Sequence, residues 1–271
     1  ANIVVPITSS IDMLLVPNRL IASGFAVDAA TTLYGYLAGM AQPLILLATI
    51  PTTSLAVSLV PAVSEAFTLG DKEGIAKKAA TAMKLCCLIT VPAAVGMSVM
   101  AEQLSLMLYG TSKAAVAIMH SGPALWLLGM QQITTGVLQG MGKINIPMLN
   151  MVCGLVAKVC AVWFLTNATY NIAGAAWASN INFGLAALLN IYVLYRYEIK
   201  FKWQEIAKIV LAAALMGVSA HYGYAVLLQI LKHRTLATVG AIFVAAITYA
   251  ALLPCLGAIT KEELRHLPII K

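Results

Sequence analysis

Long apolar runs alternate with short polar segments along the chain, and this pattern predicts helices that cross a membrane. A helix needs roughly 20 mostly apolar residues to span a bilayer core of about 30 Å. Runs of about this length or longer lie at approximately 1–17, 33–63, 81–101, 114–138, 145–166, 171–195, 206–230 and 235–258. The sequence therefore predicts an all-α, polytopic helical membrane protein with about eight transmembrane helices.

The second run is unusual because three prolines, Pro43, Pro51 and Pro61, interrupt it. Proline lacks the backbone N–H that a helix uses, and it therefore kinks the helix. Membrane helices tolerate such kinks where neighbours satisfy the freed carbonyl, and transporters use broken helices in this way. We predict a bent, mobile helix here, with ordinary static kinks as the alternative.

Composition agrees with a membrane protein and narrows the function. Hydrophobic residues make up 61% of the chain and charged residues 10%, whereas soluble domains are roughly half apolar and a quarter charged. The formal net charge of +7 suits basic cytoplasmic loops better than a nucleic-acid partner. The sequence contains no Ser/His/Asp set, no cysteine–histidine metal spacing and no phosphate-binding glycine loop. We therefore predict that the protein is not an enzyme and holds no bound cofactor.

Basic residues divide unevenly between the segments that connect the runs. Four lie on one side, namely Arg19, Lys113, Lys232 and Arg234. Twelve lie on the other side, namely Lys72, Lys77, Lys78, Lys84, Lys143, Arg196, Lys200, Lys202, Lys208, Lys261, Arg265 and Lys271. Because cytoplasmic loops carry the excess of Lys and Arg, the richer side is predicted to face the cytoplasm. Both ends of the chain are then cytoplasmic.

Asp12 and Lys158 lie well inside apolar runs, whereas Lys84 and Lys208 lie within three residues of the start of theirs. Ionisable groups at membrane depth are costly, so they normally face the interior of the helix bundle and carry function. Lys158 lies about eight residues, or roughly 12 Å at 1.5 Å per residue, before the outer end of its run, and Asp12 lies in the outer half of the first run. We predict that they share an interior cavity and pair. The alternative is a static salt bridge, which would stabilise the fold poorly because desolvation cancels much of the attraction.

Amide side chains accompany these charges. Asn150, Gly154 and Lys158 are spaced by four residues and share one face of the fifth helix, and Asn182 lies near the middle of the sixth. Together with Asp12, the oxygens of Asn150 and Asn182 would be hard ligands for a small cation. For each amide alone, a hydrogen bond to a neighbouring helix is the alternative. Further candidates for lining a substrate cavity are Arg19, Gln42, His120 and Gln132.

Four segments resemble a known family. They are TSLAVSLVPAVSEAF (53–67), VLQGMGKINIPMLN (137–150), NIAGAAWAS (171–179) and TKEELRHLP (260–268). In this order they are similar to the polysaccharide biosynthesis and stage V sporulation protein B family. That family lies within the multidrug/oligosaccharidyl-lipid/polysaccharide exporter (MOP) superfamily, to which the MurJ lipid II flippases are also assigned. The resemblance covers essentially the whole chain.

The resemblance implies a fourteen-helix protein of two six-helix lobes and two accessory helices. Residues 1–200 would be the second lobe, helices seven to twelve, and residues 201–271 the accessory pair with a cytoplasmic tail. The chain would then be the C-terminal half of a longer protein and lack its N-terminal lobe. It also implies alternating-access transport of an undecaprenyl-pyrophosphate-linked oligosaccharide, such as a cell-wall or spore-cortex precursor, across the bacterial cytoplasmic membrane. Membrane lipid and the lipid-linked substrate would be its partners, and Na⁺ or H⁺ the coupling cation.

The resemblance also implies roles for individual residues. Asp12 matches an aspartate that MurJ-like flippases place near a cation site, and Asn150 falls close to an asparagine of that site. An Asp–Arg pair of the MurJ pattern is replaced here by Leu37 and Ala38. Lys158 is an additional cation, and its ammonium would take the place of a bound sodium ion.

Two alternatives to a flippase stay open at this point. The first is a cation-coupled multidrug exporter, as in related transporters, although the flippase-like segments count against it. The second is a membrane scaffold of a cell-wall assembly complex, which would bind cell-wall synthases and transport nothing itself.

Overall fold

The computed structural model describes residues 4–258, with side chains from residue 8 onward, and within this range the chain is helical with no β-strand. The helices are α1 (Val4–Ala22), α2 (Val27–Gly35), α3 (Gln42–Thr68), α4 (Lys72–Val99), α5 (Ala101–Tyr109), α6 (Ala115–Gly140), α7 (Asn145–Leu165), α8 (Asn171–Arg196), α9 (Trp203–Leu231) and α10 (Arg234–Cys255), and a π-helical segment (Tyr36–Ala41) joins α2 to α3. The predicted all-α architecture is confirmed.

Each of the eight apolar runs coincides with a helix. Six helical stretches are long and apolar enough to cross a membrane, among them the continuous α2–α3 stretch of 42 residues. The other two predicted spans are α1 and α6, with 19 and 26 residues. Helix α6 is less apolar because it carries His120, Gln131 and Gln132, and it packs against α3, α4 and α8 in the middle of the bundle. Polar groups are tolerated there because they face protein rather than lipid.

The structure changes two details of the predicted helices. The second span begins at Val27 and contains a π-helical segment just before Pro43, where the wider turn accommodates the missing N–H of the proline. The third span begins earlier than the apolar run at 81–101, because α4 runs from Lys72 to Val99 without a break. It begins after Asp71, whose carboxylate accepts a hydrogen bond from the Gly74 N–H at 2.8 Å, a normal N-cap.

The last two helices pack beside the other eight. Helix α9 lies against α4 and α10, and α10 also contacts α5. The apolar residues Ile209 and Ala213 of α9 belong to the same buried cluster as Met83 and Cys87 of α4. Lys84 and Glu205 form an ion pair at 2.9 Å across the same contact. The division into a lobe over residues 1–200 and an accessory pair over 201–271 stays a prediction.

Alternation of helix direction gathers the described basic residues of the richer set at one end of the bundle. Lys72 pairs with Glu198 at 3.0 Å, and the ammonium of Lys143 lies 5.8 Å from the centre of the Tyr197 ring. The hydrogen bond and the charge of Lys72 hold the pKa of Glu198 below its ordinary value. This end is the one predicted to face the cytoplasm.

Glycine lets α3 and α6 approach closely, which provides a test of the fold. A Cβ at Gly136 of α6 would lie 2.7 Å from the backbone oxygen of Ala56 on α3, so Gly136→Ala is expected to destabilise the protein by about 1–3 kcal/mol. At Gly184 a Cβ would meet only the flexible side chain of Leu127 at 3.5 Å. Gly184→Ala is therefore the matched control, with an unchanged melting temperature. Thermal unfolding of the intact protein in detergent measures both, and equal stability of the two variants would contradict the close α3–α6 contact.

Candidate functional site

Each of the two charged helices buries one narrow stripe of side chains. On α1 the stripe is Thr8, Asp12, Val16 and Leu20, and on α7 it is Pro147, Met151, Gly154, Lys158 and Val162. Spacings of three and four residues place each set on a single helix face. The remaining faces of both helices expose mainly apolar side chains, as lipid-facing surfaces do. Asp12 and Lys158 therefore both point into the protein.

The structure brings Asp12 and Lys158 into direct contact. Lys158 Nζ donates a hydrogen bond to Asp12 Oδ2 at 2.5 Å, and each residue is only 2% exposed. Asp12 lies ten residues before the end of α1 and Lys158 seven before the end of α7, or roughly 15 and 10 Å at 1.5 Å per residue. The two helices run parallel, because Arg19 Nε donates to the Trp163 carbonyl at 2.8 Å near both ends. The pair therefore lies well inside the bundle.

Burial determines what this ion pair does energetically. Two charges removed from water lose hydration that their attraction barely restores, so a buried pair adds little net stability. Loss of one partner is different, because it leaves an uncompensated charge and costs about 3–5 kcal/mol. The association of α1 with α7 is therefore sensitive to the charge state of Asp12.

The predicted cation ligands are not gathered around Asp12. Asn150 lies two helical turns from Lys158, about 12 Å along the axis, and its Nδ2 donates to Asn190 Oδ1 at 2.8 Å. The carboxylate of Asp12 is already held by an ammonium. Among the described residues no group of three His, Cys, Asp or Glu side chains is placed to hold a metal ion. The residues do not fit a sodium site in this arrangement.

Asn150 instead belongs to a polar cluster between α6, α7 and α8. Asn190 Nδ2 donates to Thr134 Oγ1 at 3.1 Å and to Thr135 Oγ1 at 3.2 Å. Gln131 Nε2 also donates to Thr135 Oγ1, at 3.3 Å. These bonds satisfy buried amides between helices, which was the structural alternative for Asn150. Sequence reasoning missed Asn190, although an isolated asparagine in the run AALLNIYVL was an available signal.

Asn182 lies between this cluster and the ion pair. A Cβ built at Gly154 of α7 would lie 2.6 Å from both the backbone oxygen and the Oδ1 of Asn182. Only a residue without a side chain permits this approach. Asn182 is 1% exposed, and neither its Oδ1 nor its Nδ2 has a hydrogen-bond partner among the described residues.

The other candidate residues are distributed over the bundle. Gln132 accepts a hydrogen bond from Thr52 at 2.7 Å between α3 and α6, and Gln42 is half-buried at the start of α3. Arg19 lies near the C-terminal ends of α1 and α7, with its guanidinium 4.7 Å from the Trp163 ring centre. These residues do not form one site with Asp12.

His120 lines a separate cleft of about 640 Å³ at the same end of the bundle as Arg19. Its Nδ1 accepts a hydrogen bond from Trp177 Nε1 at 3.2 Å, and its carbonyl accepts one from Asn180 Nδ2 at 2.9 Å. The neighbouring α7–α8 connection contributes Thr169 and Tyr170 to the cleft. Aromatic and polar side chains of this kind are common where a membrane protein meets the interface.

Comparison with known proteins adds homology to this geometry. A family model described as MatE matches residues 36–164. The chain is 31% identical over 261 residues to stage V sporulation protein B of Bacillus subtilis (strain 168). The aligned region covers 95% of this chain and 50% of that protein. It is 21% identical over 187 residues to lipid II flippase MurJ of the same organism, and this aligned region covers 66% of this chain and 34% of that protein. The chain spans about half the length of the curated relatives that it matches along nearly all of its own length.

A solved structure shows the same fold. It is a MOP superfamily transporter from Pyrococcus furiosus, and it superposes with a TM-score of 0.58 over 97% of this chain and 64% of that chain, at 15% identity. At this identity the likeness concerns the fold alone. The relatives whose names state an activity are transporters or flippases rather than enzymes. The family resemblance predicted from the sequence is therefore confirmed, and the chain is a multi-pass membrane protein similar to stage V sporulation protein B and to lipid II flippase MurJ, with a MatE region at residues 36–164.

Proposed function

We propose that the chain is one half of an alternating-access flippase in the bacterial cytoplasmic membrane. Its cargo is an undecaprenyl-pyrophosphate-linked oligosaccharide, in the class of lipid II. Homology to lipid II flippase MurJ and to stage V sporulation protein B supports this activity. The second half of the cavity would come from an N-terminal lobe, because the matched relatives are about twice as long as this chain.

The buried ion pair between Asp12 and Lys158 is the observation that carries the proposal. It joins α1 to α7 deep in the bundle, at 2.5 Å, where a pair of apolar residues would hold the helices at least as well. A charged pair differs from an apolar pair because its contribution depends on protonation or ion binding. When one partner is neutralised, the other is left as an uncompensated buried charge, and the contact between the two helices becomes unfavourable. We infer that a coupling cation neutralises Asp12 during transport and thereby releases α1 from α7.

Cargo recognition follows from the same charges. A pyrophosphate group needs cations to balance it, and lysine and arginine are the side chains that bind phosphate oxygens. Once released from Asp12, Lys158 is available to an anion, and Arg19 of α1 contacts α7 nearer the C-terminal ends of both helices. The carboxylate of Asp12 keeps Lys158 occupied between cargoes.

The proposal includes an orientation, with the basic end of the bundle in the cytoplasm. Cysteines introduced at Lys113 and Lys232 are expected to react with a membrane-impermeant maleimide in whole cells. Cysteines at Lys72 and Lys200 are expected to react only after the cells are opened, because these residues lie at the opposite end of the bundle. Cys86 and Cys87 are buried, whereas Cys153, Cys160 and Cys255 are exposed, so labelling of the unmodified protein measures the background. Labelling of the 72 and 200 positions in intact cells would reverse the orientation.

Charge-neutral variants test the role of the ion pair. In proteoliposomes that contain the intact protein, flipping of fluorescently labelled lipid II is expected to fall at least tenfold, or about 1.4 kcal/mol, in Asp12→Asn and in Lys158→Met. The double variant Asp12→Asn/Lys158→Met carries no unpaired charge, so its melting temperature is expected to recover while its transport does not. A static salt bridge predicts the opposite, with normal flipping by the double variant.

The exposed pair Lys72–Glu198 provides the matched control. Its side chains are 78% and 75% exposed, and such pairs contribute little to stability, so Lys72→Met/Glu198→Gln is expected to flip lipid II at the normal rate. Two other outcomes would overturn the proposed activity. Efflux of cationic dyes without lipid flipping would indicate a multidrug exporter. Copurification with cell-wall synthases, with unaltered lipid intermediates after depletion, would indicate a scaffold.

A further inference from the structure

The ammonium of Lys158 has more hydrogen-bonding capacity than Asp12 uses. A lysine ammonium carries three N–H donors, and the described hydrogen bond of Lys158 goes to Asp12 Oδ2. If Asp12 becomes neutral, the ammonium loses the acceptor that it has in this arrangement and needs another one nearby. The neighbourhood of Lys158 therefore determines what happens when the ion pair opens.

Asn182 provides an acceptor that the fold leaves unused. Its carboxamide is buried at 1% exposure, and its Oδ1 and Nδ2 both lack a hydrogen-bond partner among the described residues. An unsatisfied buried amide costs about 1–3 kcal/mol, so it is unexpected in a contact that only holds two helices together. The corresponding amides of Asn150 and Asn190 are bonded to each other.

Helix geometry directs Lys158 toward this amide. Side chains on a helix lean toward its N-terminus, so a residue covers the turn four positions earlier. For Lys158 that position is Gly154, which has no side chain. The Oδ1 of Asn182 occupies the space where a side chain at position 154 would begin, 2.6 Å from an ideal Cβ. Asn182 therefore approaches α7 one helical turn, about 6 Å along the axis, before Lys158.

We propose that Asn182 is the second partner of Lys158, and that the ammonium moves from Asp12 Oδ2 to Asn182 Oδ1 when Asp12 is neutralised. Gly154 forms the slot through which it moves. No bond is made or broken other than hydrogen bonds, and the charge stays within α7. The inference rests on the proposed function in one respect, namely that the ion pair opens during transport. Asn182 is a positioning residue in this scheme, because it holds the lysine and does not touch the cargo.

Relocating the carboxylate tests this exchange. In the intact protein in detergent, Asp12→Asn is expected to lower the melting temperature by several degrees because Lys158 loses its counter-charge. Adding Asn182→Asp is expected to restore at least half of that loss, since a carboxylate then stands where Lys158 arrives. If Asp12→Asn alone does not fold, the fraction of monodisperse protein serves as the measure instead.

Asn180 is the matched control for that experiment. It is the same residue type on the same helix, is also buried, and its Oδ1 likewise has no partner among the described residues. Its Nδ2, however, is bonded to the His120 carbonyl on α6 at 2.9 Å, away from Lys158. Asp12→Asn/Asn180→Asp is therefore expected to show no recovery. Equal recovery by the 180 and 182 variants, or recovery by neither, would overturn the assignment.

A second experiment removes the amide at position 182 instead of replacing it by a carboxylate. Asn182→Val is expected to leave the melting temperature unchanged or higher when Asp12 is present, because it replaces an unsatisfied amide by an apolar group. In the Asp12→Asn background the same change is expected to lower it by several degrees. Additive effects in the two backgrounds would contradict the exchange. These readouts concern folding, so they distinguish failure of this inference from failure of the proposed transport, which the lipid II flipping assay reports separately.

Discussion

A charge inside a membrane protein must find its compensation within the protein, and Asp12 and Lys158 satisfy this requirement for each other. Neither α1 nor α7 places another charged side chain on its buried stripe. The contact between these two helices is therefore fixed in register by one electrostatic interaction rather than by apolar shape alone. Near their C-terminal ends, α1 and α7 are joined by weaker polar contacts, such as the hydrogen bond from Arg19 to the Trp163 carbonyl.

The sequence allowed the helices and this contact to be predicted for the same physical reason. A bilayer requires long apolar runs, so charged residues far from their ends are conspicuous, and Asp12 and Lys158 were such residues. The depth of each residue followed from helix rise. What the sequence could not provide was the identity of the neighbouring helix for uncharged polar groups. Asn150 shares a face with Lys158, yet it bonds to Asn190 on α8 instead of approaching Asp12.

Features that depend on local backbone geometry were also missed. The π-helical segment before Pro43 and the short helix α5 have no distinctive periodicity, because each is defined by contacts with other helices. The direct approach of Asn182 to Gly154 is similar. The four-residue spacing of Asn150, Gly154 and Lys158 identified the face, but a glycine in such a position is informative only once the opposing helix is known.

The short helix α5 has a consequence for the α2–α3 stretch, which it contacts through one hydrogen bond. Tyr109, the last residue of α5, donates its hydroxyl to the Met40 carbonyl at 2.9 Å, within the π-helical segment. The Met40 carbonyl is therefore held by a residue outside its own helix. Any change of the π-helical segment at this point therefore requires the Tyr109 bond to break or α5 to follow. The π-helical segment and α5 are mechanically coupled.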